Sequence, residues 1–165
     1  MNAYLFLMQY SNSMAELKDL RDELSKLELS IGGGGINYDG MPKGSNISKP
    51  TERDAVDLAS KRKKISDKEK EAEQIKKDIE RFISRVRRNK STKYQGKTML
   101  DPRSVTLAIV LSKRYLNCNI YGKQMEWKTI GEEMGYSEAH AKFLHQCALR
   151  LAEELLNPEK KDNTK

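Results

Sequence analysis

Two long segments of the chain carry apolar or small residues at alternating spacings of three and four positions. In the first segment these positions are Ala3, Phe6, Tyr10, Ser13, Leu17, Leu20, Leu24, Leu27 and Ile31. In the second they are Leu58, Ile65, Ala72, Ile79 and Val86, joined by Ile75 and Phe82. A repeat of 3.5 residues is typical of helices that pack along a coiled-coil seam. The pattern therefore predicts helices over about residues 3–30 and 51–88.

The segment between these helices is rich in residues that form turns. Four consecutive glycines, 32–35, are too costly in backbone entropy to remain helical, and Thr51 is a suitable N-cap for the second helix. Lys61 and Lys68 occupy seam positions, so the first half of the second helix should pair loosely and its second half tightly. The two helices can fold back as an antiparallel hairpin or pair between chains, and periodicity alone does not choose.

A third helix is predicted to begin at Asp101 and Pro102, which suit the N-cap and the first helical position. Residues 105–111 are apolar nearly all round, so other helices must surround them. The last third of the chain should therefore contain the main core.

Residues 126–151 fit a helix-turn-helix. Gly131 is small where the two helices cross, and Gly135 tolerates positive φ in the turn. Ala141 is a modest apolar residue in the second helix, and Ser137 is its expected N-cap. The second helix should run from Glu138 to about Leu156. A plain helical hairpin is the alternative.

The second of these helices has two contrasting faces. The buried face should consist of Ala141, Leu144, Ala148, Leu151 and Leu155, flanked by Leu149 and Ala152. The opposite face consists of Ala139, Lys142, Phe143, Gln146 and Arg150, with His140 at its border. In this motif the N-terminal part of the second helix reads bases in the major groove. Phe143 is unusual on a polar face: it could contact a thymine methyl, a second subunit or a polymerase, or belong to the core.

A basic run lies before the predicted third helix. Residues 85–97 contain six basic side chains and no acidic one. Such a run often forms only a solvated linker, but its place beside the helix-turn-helix favours contact with phosphates. The predicted DNA-contacting residues are Arg87, Arg88, Lys90, Lys93, Lys128, Glu138, His140, Lys142, Phe143, Gln146 and Arg150.

Composition supports binding rather than catalysis. The 165 residues include 31 Lys and Arg against 24 Asp and Glu, for a formal charge of +7, and mean hydropathy is −0.79. This balance favours an elongated helical protein that binds nucleic acid. There is no P-loop or dinucleotide-binding glycine motif, and two cysteines with two histidines make no zinc site. We expect no enzyme, no cofactor and no metal. His145 should be a histidine at the edge of the core, and Trp127 a packing anchor.

Several of these residues resemble a known family. Residues 127–137, His145 and Ala148–Leu149, preceded by Arg114–Tyr115, are similar to the end of the RinA/ArpU-type regulators of phages of Gram-positive bacteria. The loop 38–42 also resembles that group. Gly131 differs, because alanine is usual there. The resemblance implies late transcription activation through a module similar to region 4 of sigma factors, with host RNA polymerase as a further partner.

Together these observations predict an all-α protein with four parts. Residues 1–90 should form a helical coiled-coil region for oligomerisation or polymerase contact, 91–100 a basic linker, 101–157 the DNA-binding domain and 158–165 a disordered tail. The expected function is sequence-specific activation of phage genes by a homo-oligomer on double-stranded DNA. A small terminase subunit that forms a ring, or a helical adaptor without DNA binding, is the alternative. Without a membrane span or signal peptide, a cytoplasmic location in the host cell is expected.

Overall fold

The computed structural model describes residues 2–32, 52–89, 92–94, 97–99 and 102–158. The helices found there are α1 (Ala3–Gly32), α2 (Glu52–Arg87), α3 (Pro102–Tyr115), α4 (Trp127–Met134) and α5 (Glu138–Leu156). The predicted all-α class is confirmed, and the predicted helix bounds lie within two residues of those observed. The expected N-caps Thr51 and Asp101 and most of the expected tail, from residue 159, lie outside the described residues.

A short antiparallel ribbon was not predicted. Strands β1 (Thr92–Tyr94) and β2 (Lys97–Met99) pair with Thr92 opposite Met99 and Tyr94 opposite Lys97. Threonine and tyrosine favour strands, but three residues are too few for a detectable alternating pattern. Part of the segment 91–100, expected to be only a linker, thus has regular backbone pairing.

The described chain divides into two compact units, one formed by residues 1–15 and 72–165 and the other by residues 16–71. These units do not coincide with the predicted boundary near residue 90. The difference arises because the start of α1 and the end of α2 enter the same core as α3 and α5. Buried members of that core come from all four helices, among them Leu7, Ile79, Leu111 and Ala148.

The unit of residues 16–71 is a helical hairpin, so in this structure α1 and α2 pair within one chain. Leu17 is only 3% exposed, while the other seam residues of the hairpin are half-buried, namely Leu20, Leu24, Leu27, Ile31, Leu58 and Ile65. Ion pairs also join its two helices: Lys68–Glu16 (2.6 Å), Arg21–Glu69 (2.6 Å), Lys61–Glu23 (2.7 Å) and Arg62–Glu28 (2.9 Å).

The predicted contrast along α2 is confirmed. Lys61 and Lys68 are half-buried on the seam in its first half, whereas Ala72, Ile79 and Val86 are buried in its second half. An ammonium group on the seam can be accommodated if its stem packs on the seam and its charge reaches water or a carboxylate at the edge. The first half is therefore held by mixed apolar and ionic contacts, and exposed ion pairs of this kind add little stability because solvent screens them.

Two leucines of α1 provide a direct test of this seam. Leu17→Ala should lower the free energy of unfolding by about 2 kcal/mol or more, because it removes a buried side chain. Leu29→Ala is the matched control on the same helix: Leu29 is 72% exposed, and its loss should change stability by no more than about 0.5 kcal/mol. The two variants should be compared by urea denaturation. Equal stability of both variants would contradict the assignment of the seam.

Candidate nucleic-acid interface

The turn between α4 and α5 has the length and the glycine conformation that a helix-turn-helix requires. Gly135 lies in the left-handed region, at φ 72° and ψ 28°, as predicted. The N–H of Tyr136 donates to the carbonyl of Gly131 at 2.8 Å, and the N–H of Gly135 donates to that of Glu132 at 3.2 Å. This pair of hydrogen bonds is a Schellman motif, which ends α4. Three residues separate the two helices, as is usual in this motif.

Ser137 caps the second helix of the pair. Its backbone is extended, and its hydroxyl oxygen accepts a hydrogen bond from the N–H of His140 at 3.2 Å. Glu138 follows in the first turn, where a carboxylate is favoured by the helix dipole. The predicted N-cap is confirmed, and α5 begins at the residue expected.

Gly131 lies where α4 approaches the start of α5 most closely. A Cβ atom placed on Gly131 would lie 2.8 Å from the carbonyl oxygen of Tyr136 and 3.2 Å from the backbone nitrogen of Glu138. Both neighbours are backbone atoms, so neither can rotate away as a side chain would. The prediction of a small residue at the crossing is confirmed, and in this chain the space fits glycine more closely than alanine.

A cluster of four side chains joins the end of α3, the start of α4 and the middle of α5. The guanidinium of Arg114 lies over the ring of Trp127, 4.4 Å from its centroid, and donates a hydrogen bond to the carbonyl of Met125. The ring of His145 lies 4.8 Å from Trp127, and its Nε2 is 2.8 Å from the hydroxyl of Tyr115. Trp127 is thus a packing anchor and His145 lies at the edge of the core, as expected.

The cluster is electrostatically unusual because it places a half-buried histidine beside a half-buried arginine. Burial, and secondarily the charge of Arg114, lower the pKa of His145 to about 4. Burial also raises the pKa of the Tyr115 hydroxyl above its ordinary value. At neutral pH His145 is therefore uncharged and Tyr115 keeps its proton. The imidazole then has one nitrogen that can accept a hydrogen bond from the Tyr115 hydroxyl.

The two faces of α5 lie as predicted. Ala141, Ala148 and Ala152 are fully buried, and Leu144, Leu149, Leu151 and Leu155 are partly buried against the core. The opposite face is exposed and consists of Ala139, His140, Lys142, Phe143, Gln146 and Arg150. Phe143 is 58% exposed, so the alternative that it belongs to the core is wrong.

The other predicted site residues lie on several elements. Arg87 ends α2, Arg88 follows it, and Lys128 lies in the first turn of α4; all three side chains are exposed. Glu138 forms an ion pair with Lys142 at 2.6 Å. Lys90 lies outside the described residues. Lys93 belongs to β1, but its side chain is also outside the description.

Two contributors to this region were missed by reasoning from residue patterns. Arg114 was noted only as part of a resemblance, yet it contacts Trp127 and Met125. Tyr136 has a role in the sequence analysis only within the range 127–137 that carries the resemblance, yet its ring lies 4.8 Å from that of His140. Neither contact has a periodic signal in the sequence, because each depends on where the turn directs the chain.

The helix-turn-helix is not basic by itself. Its acidic side chains on α4 and α5 are Glu132, Glu133, Glu138, Glu153 and Glu154, against the basic side chains Lys128, Lys142 and Arg150. Glu133 pairs with Lys113 of α3. Any binding of a polyanion must therefore draw positive charge from other parts of the chain.

Among the described residues no group of three or more His, Cys, Asp or Glu could hold a metal ion. No helix in the described ranges is long and apolar enough to cross a membrane. Searches with the chain matched no family model, no curated protein and no solved structure. The geometry of α4 and α5 and the distribution of charge are therefore the features that bear on function.

The close approach at Gly131 can be tested by adding one methyl group. Gly131→Ala should destabilise the protein by about 1–3 kcal/mol, because the new Cβ forces α4 away from the first turn of α5. Ala139→Gly and Ala139→Ser serve as controls at an exposed position of α5. They should lower stability by no more than the difference in helix propensity, about 1 kcal/mol or less. Thermal unfolding measures the difference. A Gly131→Ala protein as stable as the parent would show that the crossing has room to spare.

The half-buried His145 predicts a specific dependence of stability on pH. The unfolded chain binds a proton at His145 below about pH 6.5, whereas the folded chain does so only below about pH 4. The free energy of unfolding should therefore fall as pH decreases through this window. His145→Phe, which cannot titrate, should lose this part of the decrease, while His140→Gln should retain it. Urea denaturation at several pH values provides the measurement, and identical profiles for the parent and His145→Phe would refute the assignment.

Proposed function

We propose that this protein binds DNA in a sequence-specific manner and regulates transcription, with α5 as its recognition helix. The observation that carries the proposal is the α4–turn–α5 geometry, in which Gly131, Gly135 and Ser137 fix an exposed polar face of α5 opposite a fully buried alanine stripe. The resemblance to phage late activators supports a role in phage transcription. Host RNA polymerase is a partner consistent with that role.

Two exposed residues of α5 are suited to reading bases. Lys142 and Gln146 lie one helical turn apart on the exposed face. Lysine pairs with the O6 and N7 acceptors of guanine, and glutamine can pair bidentately with adenine. Lys142 pairs with Glu138 at 2.6 Å, so on binding DNA it would exchange a carboxylate for a base edge. Each such contact contributes about 1–3 kcal/mol of discrimination.

Phosphate contacts must come from a wider set of bases because α4 and α5 carry more acids. Arg87 is exposed at the end of α2, Arg88 is exposed just after it, and Lys128 is exposed on α4. Lys90 and Lys93 extend the same basic run in sequence. Contacts of this kind position a protein on the duplex without reading its sequence. The proposal therefore assigns specificity to α5 and much of the affinity to the basic run.

These two roles can be separated by one set of titrations. A preferred site is first selected from a pool of random duplexes, and binding to it and to a scrambled duplex is then measured at two salt concentrations. Lys142→Ala or Gln146→Ala should reduce the specific-to-scrambled ratio by about five-fold or more. Arg87→Ala with Arg88→Ala should weaken both complexes alike and reduce the slope of log K against log salt by about two.

A matched control comes from the hairpin unit. Lys63 and Lys64 are a second pair of adjacent exposed bases on α2, and their double alanine variant should bind DNA as the parent does. Failure of the parent to bind any duplex at about 100 mM salt would contradict the proposal and favour a helical adaptor. An unchanged specificity ratio in both α5 variants would show that α5 is not the recognition helix.

A further inference from the structure

Three exposed rings form a continuous aromatic surface at the start of α5. The rings of Tyr136 and His140 lie 4.8 Å apart between centroids, and those of His140 and Phe143 lie 6.2 Å apart. Tyr136 is 41% exposed and Phe143 58% exposed. We call these three side chains the aromatic ridge. The core of the protein does not use it, since the buried side of α5 is formed by other residues.

The aromatic ridge lies where a recognition helix would meet DNA. It begins in the turn and follows the first two turns of α5, the part of a recognition helix that contacts base edges. Ala139 is exposed beside it, and Lys142 precedes Phe143 directly. Arg150 continues the exposed face with a second positive charge. The ring of Phe143 thus lies among side chains that can form hydrogen bonds, with Glu138 already paired with Lys142. Such a mixture of one apolar ring and polar side chains suits the base edges of a major groove, which offer both kinds of contact.

Only one feature of the major-groove floor is complementary to an apolar side chain. The base edges present hydrogen-bond donors and acceptors, with the exception of the C5-methyl group of thymine. A phenyl ring exposed in the free protein and packed on that methyl group in the complex would remove apolar surface of both partners from water. A hydrogen-bonding edge at the same place would instead lose its water without a new partner.

We infer that Phe143 selects a thymine in the binding site through its C5-methyl group, and that His140 and Tyr136 hold the ring of Phe143 in position. The inference rests on the proposed DNA binding of α5 and specifies the base chemistry that α5 recognises. Phe143 is then a residue that determines specificity although it offers no hydrogen bond.

The test removes one methyl group from the DNA and one ring from the protein. Each thymine of the selected site is replaced in turn by deoxyuridine, which lacks only the C5-methyl group. When deoxyuridine stands at the position that Phe143 contacts, the parent should bind the site about four-fold more weakly. This is the expected effect of losing one buried methyl group. Phe143→Ala should bind the methylated and unmethylated sites equally at that position. Phe143→Leu, which keeps an apolar side chain, should retain part of the preference.

Controls separate the inference from the proposed function. Leu29→Ala removes an exposed apolar side chain of the hairpin unit and should preserve the full deoxyuridine effect. Circular dichroism confirms that Phe143→Ala is folded. Two outcomes overturn the inference and leave the proposed function intact. In one, the parent selects a DNA site but loses no affinity at any deoxyuridine position. In the other, deoxyuridine weakens binding of the parent and of Phe143→Ala by the same factor. A selected site that contains no thymine also overturns the inference alone. A parent that binds no DNA overturns both the inference and the proposed function.

Discussion

The close approach of α4 to the first turn of α5 is the constraint on which the proposed interface depends. An eight-residue helix is too short to be stable alone, and α4 buries only Ile130 and Gly131. Its place is fixed by backbone contact at Gly131 and by the packing of Arg114 and His145 against the ring of Trp127. The direction of the exposed face of α5 follows from that placement. A larger residue at the crossing would therefore change the direction of this face without altering any of its side chains.

Charge in this protein is divided between structural and exposed roles. In the hairpin unit Arg21, Lys61, Arg62 and Lys68 all pair with carboxylates of the opposite helix. Those bases stabilise the pairing of α1 with α2 and contribute less to an external positive field than their number suggests. The helix-turn-helix is itself acidic in balance. The formal charge of +7 is therefore less informative than the local basic run, whose first members, Arg85, Arg87 and Arg88, lie exposed at the end of α2 and just after it.

Local signals in the sequence predicted most of the fold. The limits of α5 follow from the cap at Ser137 and from the end of the apolar stripe, and positive φ at Gly135 follows from its place in the motif. The division into two units was not predictable, because the heptad seam of α1 continues through Ala15 and Glu16 although its packing partners change there. The packing of Arg114 and His145 against Trp127 was also not predicted, because these residues lie on three different helices and no periodicity in the sequence relates them. Whether the chain binds DNA or forms oligomers stays a prediction.

Some residues of α5 are required for folding, whereas others are not. Folding requires small residues at Ala141, Ala148 and Ala152, which are fully buried, and larger side chains there would push α5 from the core. On the exposed face, folding alone would accept almost any good helix former, and alanine or glutamate would serve better than phenylalanine. Phe143 lowers helix propensity and leaves a phenyl ring in water. An aromatic residue at that position is thus better explained by a contact formed outside the folded chain than by the fold itself.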